Sequence, residues 1–369
     1  MTIQRLDEPL NVERLLCHRL LENVHELALD RAVIPSGPLL QRARETIGNV
    51  LDRECNGHGA SIAPFWRHNG TVEQRTVRPD IISVAMAFHL LRSVLFVPGT
   101  RPDRFAKAFA SGADAVVLDL EDAVEAGRKA EARELVGKFV ASLGPETKSS
   151  VFVRINAPVS PWIDDDVDWL RGLHGFVDAV VLPKVEIAAV IEGAADATPD
   201  RRVIPLIETA RGVLNVSEIV AADAEIPAVL FGAEDLTAEL GIPRTLQGDE
   251  LIYARSSVVL AAATIEAEAI DAVWVDLANP DALRQDAARA KALGFRGKMA
   301  IHPDQVAVIN EVFSPTGDEV AAARRLIEAD DRAREAGEGV FRFGDAMVDA
   351  PVIKRARRIL ELAARTTRN

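Results

Sequence analysis

Tyrosine occurs once in these 369 residues, at Tyr253, and all aromatic residues together make up 5% of the chain. A core drawn from so few rings must be aliphatic, and Ala, Val and Leu dominate the apolar half of the composition. Cysteine is almost as scarce: Cys17 and Cys55 are the only two, far too few for a disulfide framework. Two widely spaced cysteines read as free thiols in a reducing cytosol. No run of 18 apolar residues is present, and the N-terminus lacks the basic-then-apolar order of a signal peptide, so the expected location is cytoplasmic. Positive charge is in deficit, with Lys and Arg numbering 43 against 56 Asp and Glu, for a net charge of -13. That balance argues against a nucleic-acid backbone as the main partner, while a local arginine cluster could still hold an anionic ligand.

From residue 92 onward, short apolar runs alternate with helical patterns. The runs are RSVLFVPG, AVVLDLED, SVFVRIN, DAVVLPKV, RVIPLIET, AVLFGAEDL, DAVWVDL and GKMAIHP, starting at Arg92, Ala115, Ser150, Asp178, Arg202, Ala228, Asp271 and Gly297. Nearly continuous apolar strands, each followed by a helix, predict parallel strands buried on both faces. Eight such units match a closed (β/α)8 TIM barrel, which commonly takes about 250 residues. A doubly wound open sheet is the competing architecture, but VPGTRPDR after the first strand is not its G-x-G-x-x-G phosphate turn. The expected organisation is an N-terminal, partly helical extension over 1–90, a barrel over 91–315 and a C-terminal helical lid over 316–369.

Ionisable residues collect at the ends of these runs. Asp119, Glu121 and Asp122 end the second, Arg154 and Asn156 the third, Lys184 the fourth and Glu208 the fifth. Glu234 and Asp235 end the sixth, Asp276 the seventh and His302 the eighth. The C-terminal rim is where this fold places its chemistry. Any one carboxylate there has a competing role as a helix cap.

Glu208 and Asp235 stand on adjacent strands, and two carboxylates with few soft ligands nearby suit a hard divalent ion such as magnesium. Glu234 would point elsewhere along the same strand. Arg154 follows an apolar run, so its guanidinium must be paired, with Asp119 or Glu121, or face a polar cavity. Lys184 could in principle form a Schiff base, but carboxylates around it would keep it charged. Arg92, Arg101, Arg104 and Lys107 cluster in sequence around the first βα loop, where phosphate groups could bind.

The stretches RSVLFVPGTRPDRFAKAFASGADAVVLDLEDAV, VRIN, LPKVE, PLIETARGVLN, FGAEDLTAELG, YARS, GKMAIHPDQV and MVDAPVIKRA occur in order over three quarters of the chain. In them the sequence closely resembles the citrate lyase beta-subunit-like branch of the HpcH/HpaI aldolase family, which includes malyl-CoA and citramalyl-CoA lyases. The resemblance implies a magnesium-dependent enzyme, with manganese as a possible substitute, that cleaves a carbon-carbon bond of a 3-hydroxyacyl-CoA to acetyl-CoA and a 2-oxo acid. It implies Glu208 and Asp235 as metal ligands, Arg154 as the group facing the developing oxyanion, and Asp349 as the acid/base in a tail that closes over a neighbouring subunit's site. Such sharing implies a closed homo-oligomer, a trimer or hexamer. Arg92 and Arg101 are the expected contacts to coenzyme A. Related possibilities are a citrate lyase beta subunit working with partner subunits, a malate-synthase-like condensation with thioester hydrolysis, and a noncatalytic subunit.

Two features depart from the family. Some 90 residues precede the first strand, with helical patterns over Val12–Leu29 and Leu39–Leu51 and a polar stretch, CNGHGASIAPFWRHNGT, carrying Cys55, His58 and His68. A helical appendage, a partner-binding region and residues ahead of a start at Met86 are all compatible with it; a zinc site lacks a fourth ligand and recognisable spacing. EAGRKAEAR follows LDLEDAV where relatives often carry proline and aspartate before the lysine, which could alter the rim loop.

Overall fold

The computed structural model describes residues 90–173, 177–223, 225–335, 337 and 339–366. The extension before residue 90, with Cys17, Cys55, His58 and His68, lies outside the described residues. Eight parallel strands close into a barrel in sequence order. They are β1 (Ser93–Pro98), β2 (Ala115–Asp119), β3 (Ser150–Arg154), β4 (Ala179–Leu182), β5 (Arg202–Ile207), β6 (Ala228–Phe231), β7 (Glu268–Asp271) and β8 (Gly297–Ala300). Closure is made by β1 against β8, with Val94 opposite Met299.

The covering helices are α1 (Pro102–Phe109), α2 (Lys129–Ala141), α3 (Ile163–Gly172), α4 (Ala188–Ala197), α5 (Ala210–Leu214), α6 (Val216–Ala221), α7 (Ala233–Leu240), α8 (Ile252–Thr264), α9 (Pro280–Leu293) and α10 (Pro303–Phe313). Their ends carry local signals. Proline opens α1, α9 and α10, where its missing N–H costs nothing. Left-handed Gly241 and Gly294 close α7 and α9. Among the described residues no helix is long and apolar enough to cross a membrane.

Side-chain alternation sorts the strands into two cores. Ala115, Val117, Phe152, Ile204, Leu206, Leu230 and Met299 fill the barrel interior, while Val116, Leu118, Val153, Val203 and Val229 pack outward against the helices. Extending the same period by one step puts Asp119, Arg154, Glu208 and Gly232 in the layer above the apolar interior. Strand pairing agrees, since Asp119 lies opposite Arg154 and Leu206 opposite Leu230.

One expectation needs correction. The seventh strand begins at Glu268 and ends at Asp271, so only the first residue of DAVWVDL lies in it, and Asp276 is an exposed loop residue that accepts from the Ala278 N–H. The apolar run there outlasts the ladder. Arg92 stands at the N-terminal end of β1, opposite the rim, and is 8% exposed. Its Nε and Nη2 donate to the two Asp114 oxygens at 2.9 and 2.8 Å, and Nη1 donates to Ser314 Oγ. A guanidinium engaged in this way ties β1 and β2 to the end of α10. In the C-terminal tail, α11 (Gly317–Glu335) and α12 (Ala350–Thr366) flank a hairpin of β9 (Phe341–Phe343) and β10 (Ala346–Val348). Along α12, Arg358 reaches Glu268 at the N-terminal end of β7, 3.4 Å away.

A charged quartet sits between barrel and helices. Arg255 of α8 pairs with Asp271 and Asp286, and Lys298 of β8 donates to the same two carboxylates at 2.6 Å each. All four are buried. Two cations matched by two anions satisfy the requirement that buried charge be paired.

Candidate active site

Arg154 is the centre of the rim. Its Nε and Nη2 donate to Asp119 Oδ1 and Oδ2, both at 2.7 Å, in the bidentate fork that suits guanidinium and carboxylate. Nη1 lies 3.0 Å from Glu121 Oε2, an ion pair without a well-formed hydrogen bond. The guanidinium also stacks over Phe96, 5.2 Å from the ring centroid. Burial opposes the arginine's charge, but Asp119 and Glu121 outweigh it and hold the pKa above the ordinary value. Of the two sequence-based alternatives for Arg154, the pairing is present, and it stands in the rim layer.

Glu208 follows β5 and is 3% exposed. Burial pushes its pKa well above the ordinary carboxylate value; Arg154 opposes the shift, and the charges of Asp235 and Glu121 add to it. One oxygen accepts from the Lys184 backbone N–H at 3.0 Å. The other occupies space left by Gly232, where a Cβ would sit 2.6 Å from Glu208 Oε2. Asp235 is partly exposed in the first turn of α7, so it belongs to a helix start rather than to the strand. Its neighbour Glu234 turns away to Arg244, which also stacks on Trp274.

Lys184 links these groups. Its Nζ contacts Glu121, lies 3.3 Å from Asp122 Oδ1 and 3.6 Å from Asp235 Oδ2. Burial works against its charge, but the Glu121 hydrogen bond and the surrounding carboxylates raise its pKa above the usual lysine value. A lysine so strongly protonated is unsuited to Schiff-base chemistry. Lys129, in the departing EAGRKAEAR segment, is buried and donates to the Leu120 and Glu121 carbonyls, fixing the loop after β2. Beside it opens a recess of about 240 Å3 bounded by Asp122, Asn156, Ser160 and Trp162.

The other sequence candidates divide. His302 caps α10 in a reciprocal box with Gln305, a structural role. Asn156 donates to Asp166 at 2.6 Å. Arg101 is exposed on the loop after β1 and paired with Asp103 at 2.8 Å. Asp349 is exposed at the head of α12 and accepts weakly from the Val352 N–H at 3.4 Å. Among the described contacts none joins Asp349 to the rim, so a single chain does not assemble it with Arg154. Sequence reasoning missed the part of Gly232 and of the Lys184 backbone; the glycine ending the AVLFG run was the available signal for the first.

The donor set fits a hard divalent ion. Among the described residues no group of three or more His, Cys, Asp or Glu side chains is arranged to hold a metal ion. Glu208 and Asp235 interact electrostatically and both lie against Lys184. Two carboxylates suit magnesium, which keeps several waters, and would not make a zinc cage.

The chain is 43% identical over 278 residues to a citrate lyase subunit beta-like protein of Deinococcus radiodurans, covering 73% of this chain and 96% of that protein. It is 32% identical to the human mitochondrial citramalyl-CoA lyase over 292 residues, 74% and 85% of the two chains. The fold matches a crystal structure of CitE from Mycobacterium tuberculosis in complex with magnesium, acetoacetate and coenzyme A. That match has a TM-score of 0.65 and 37% identity, covering 75% of this chain and all of that one. Residues 92–303 match the HpcH/HpaI aldolase/citrate lyase family, to which this chain with its charged barrel rim belongs.

Proposed function

We propose that this protein is a magnesium-dependent lyase that cleaves a 3-hydroxyacyl-CoA, with citramalyl-CoA or malyl-CoA as the substrate type, to acetyl-CoA and pyruvate or glyoxylate. The observation that carries the reading is the buried Arg154–Asp119 fork standing one layer above the apolar barrel, beside a buried Glu208 that has Asp235 as its carboxylate neighbour. Relatives named as lyases of this chemistry support the same reaction class.

Glu208 and Asp235 would hold the magnesium ion, or manganese in its place. When bound, the ion supplies a Lewis acid for the substrate's hydroxyl and carboxylate oxygens. Cleavage breaks the bond between the carbinol carbon and the thioester's α-carbon. The hydroxyl gives its proton to water at the open rim, its carbon becomes the carbonyl of the 2-oxo acid, and the electron pair of the broken carbon-carbon bond passes into the thioester as an enolate. Arg154 is rigid because Asp119 fixes two of its donors, and its remaining N–H groups can meet the negative charge that grows on the thioester oxygen. Such preorganised donors are typically worth 10²–10³-fold in rate. A proton must then reach the enolate carbon. Asp349 of the partner subunit is assigned that transfer, since this chain's own Asp349 makes no contact with the rim and α12 packs on α11. The active assembly is thus a closed homo-oligomer, a trimer or hexamer.

For coenzyme A, exposed Arg101 above β1 is the remaining candidate of the two arginines, and the recess beside Asn156 and Trp162 offers room for part of the acyl arm. The test is magnesium-dependent cleavage of (S)-citramalyl-CoA, (S)-malyl-CoA and 3-hydroxy-3-methylglutaryl-CoA, with both products measured. Selective cleavage of one of the first two supports the reading. Folded, magnesium-loaded protein that cleaves none of them overturns it in favour of a citrate lyase subunit acting with partners.

A further inference from the structure

Lys184 is unusual twice over. Its backbone is left-handed at φ 52°, a conformation that side-chain-bearing residues rarely adopt. That conformation accompanies an N–H donated to Glu208 Oε1 at 3.0 Å. Its ammonium, meanwhile, is shared among Glu121, Asp122 and Asp235. Three carboxylates thus meet the Lys184 ammonium and a fourth meets its amide. Glu208 is held by the amide, Glu121 and Asp122 by the ammonium together with the Arg154 guanidinium at 3.0 and 3.7 Å, and Asp235 by the ammonium at the longest of its three distances, 3.6 Å.

We propose that Lys184 is a positioning residue that keeps Glu121 and Asp122 away from the metal, leaving an ion with two protein carboxylates and open positions for substrate. The proposal rests on the reading that Glu208 and Asp235 hold a divalent ion. Without the ammonium, Glu121 and Asp122 lose one of the two cations that hold them, Arg154 being the other, and gain freedom to turn toward that ion. A nearby positive charge is also removed, and both changes strengthen metal binding. The cost falls on catalysis, because added carboxylates displace the waters that substrate oxygens must replace.

The direction of the effect separates this role from a merely structural one. Manganese is titrated into the full-length oligomer and free ion is followed by electron paramagnetic resonance, with water proton relaxation reporting the waters left on the bound ion. Lys184→Met should bind manganese about tenfold more tightly or better, retain fewer exchangeable waters, and turn over more slowly when saturated with metal. Lys184→Arg, which keeps the charge, should stay near the wild type in affinity. Should the methionine variant fold poorly, Lys184→Gly accepts the left-handed backbone freely and carries the same expectation. Unchanged or weaker manganese binding in folded Lys184→Met or Lys184→Gly overturns the proposal, as does tighter binding with the full complement of waters. Glu208→Gln and Asp235→Asn provide the control. If they leave manganese affinity untouched, the metal pair itself is wrong; if they abolish it while Lys184→Met changes nothing, only the positioning role is lost.

Discussion

Gly232 and Glu208 occupy adjoining strand ends so closely that a Cβ on Gly232 would lie 2.5 Å from Glu208 Cβ. That atom belongs to the stem of the side chain, which cannot swing aside as a flexible tip could. Gly232→Ala should therefore push Glu208 out of the rim layer. We expect turnover to fall by at least about 100-fold, since a 1 Å misplacement in a catalytic constellation can cost that much. Stability should fall by about 1–3 kcal/mol, the usual cost of overpacking. Metal titration together with chemical denaturation distinguishes the two effects. Full activity in the alanine variant would mean that Glu208 has no fixed duty.

Arg154 offers a test of geometry against charge. Lysine keeps the positive charge but cannot make the two parallel 2.7 Å bonds to Asp119. Arg154→Lys should reduce kcat by about 10²–10³-fold while leaving metal affinity nearly unchanged, the signature of lost transition-state stabilisation. Asp119→Ala should act through folding instead. It leaves a buried guanidinium without its main partner and should cost about 3–5 kcal/mol, measured by urea unfolding.

The barrel was legible because seven of the eight strands lie within their own apolar runs and several helices carry a proline, threonine or glycine at a boundary. Legibility failed where the fold is decided by pairing at a distance. Arg92 precedes its strand, which assigns it to the N-terminal end of the barrel, and Asp114 stands just before the next strand; nothing local says that these two join. The run through Asp271 continues apolar beyond its last ladder bond, so strand and loop look alike there. Glu208 and Arg154 were readable as polar residues that interrupt apolar periodicity. Lys298, in the middle of G-K-M-A, was equally conspicuous as a buried charge, but its partners Asp271 and Asp286 come from elements that only the closed barrel brings together.

The quartet around Lys298 predicts an acid transition. Burial disfavours the charged form of Asp286, but Lys298 and Arg255 outweigh it and hold the pKa at about 2, below the ordinary 3.8. A depressed carboxylate stabilises the fold fully above its unfolded value and loses that contribution as pH falls through its folded value. The contribution is on the order of 2 kcal/mol and should disappear between about pH 4 and pH 2. Asp286→Asn removes the titrating group, so its stability curve should be lower at neutral pH and flatter across this window. Parallel curves for the two proteins would assign the acid transition to other carboxylates.

Asp349 supplies the sharpest test of a site completed by a second copy. Its tail belongs to α12, whose Arg358 is anchored toward Glu268 at the far end of β7, and Asp349 itself caps the helix only loosely. Asp349→Asn should lower kcat strongly while retaining coenzyme A and metal binding, because a proton carrier is lost and no ligand is. Glu208→Gln should be inactive for the opposite reason, with an intact tail and a damaged rim. Dissociating and reassembling the two inactive variants together then creates mixed oligomers in which an intact rim can meet an intact Asp349. Activity recovered on mixing, up to about a quarter of wild type per site for random assembly with each site drawing on two chains, is the expected outcome. If verified mixed oligomers remain as inactive as their parents, Asp349 acts within its own chain or not at all, and the proton must come from the groups already gathered around Arg154.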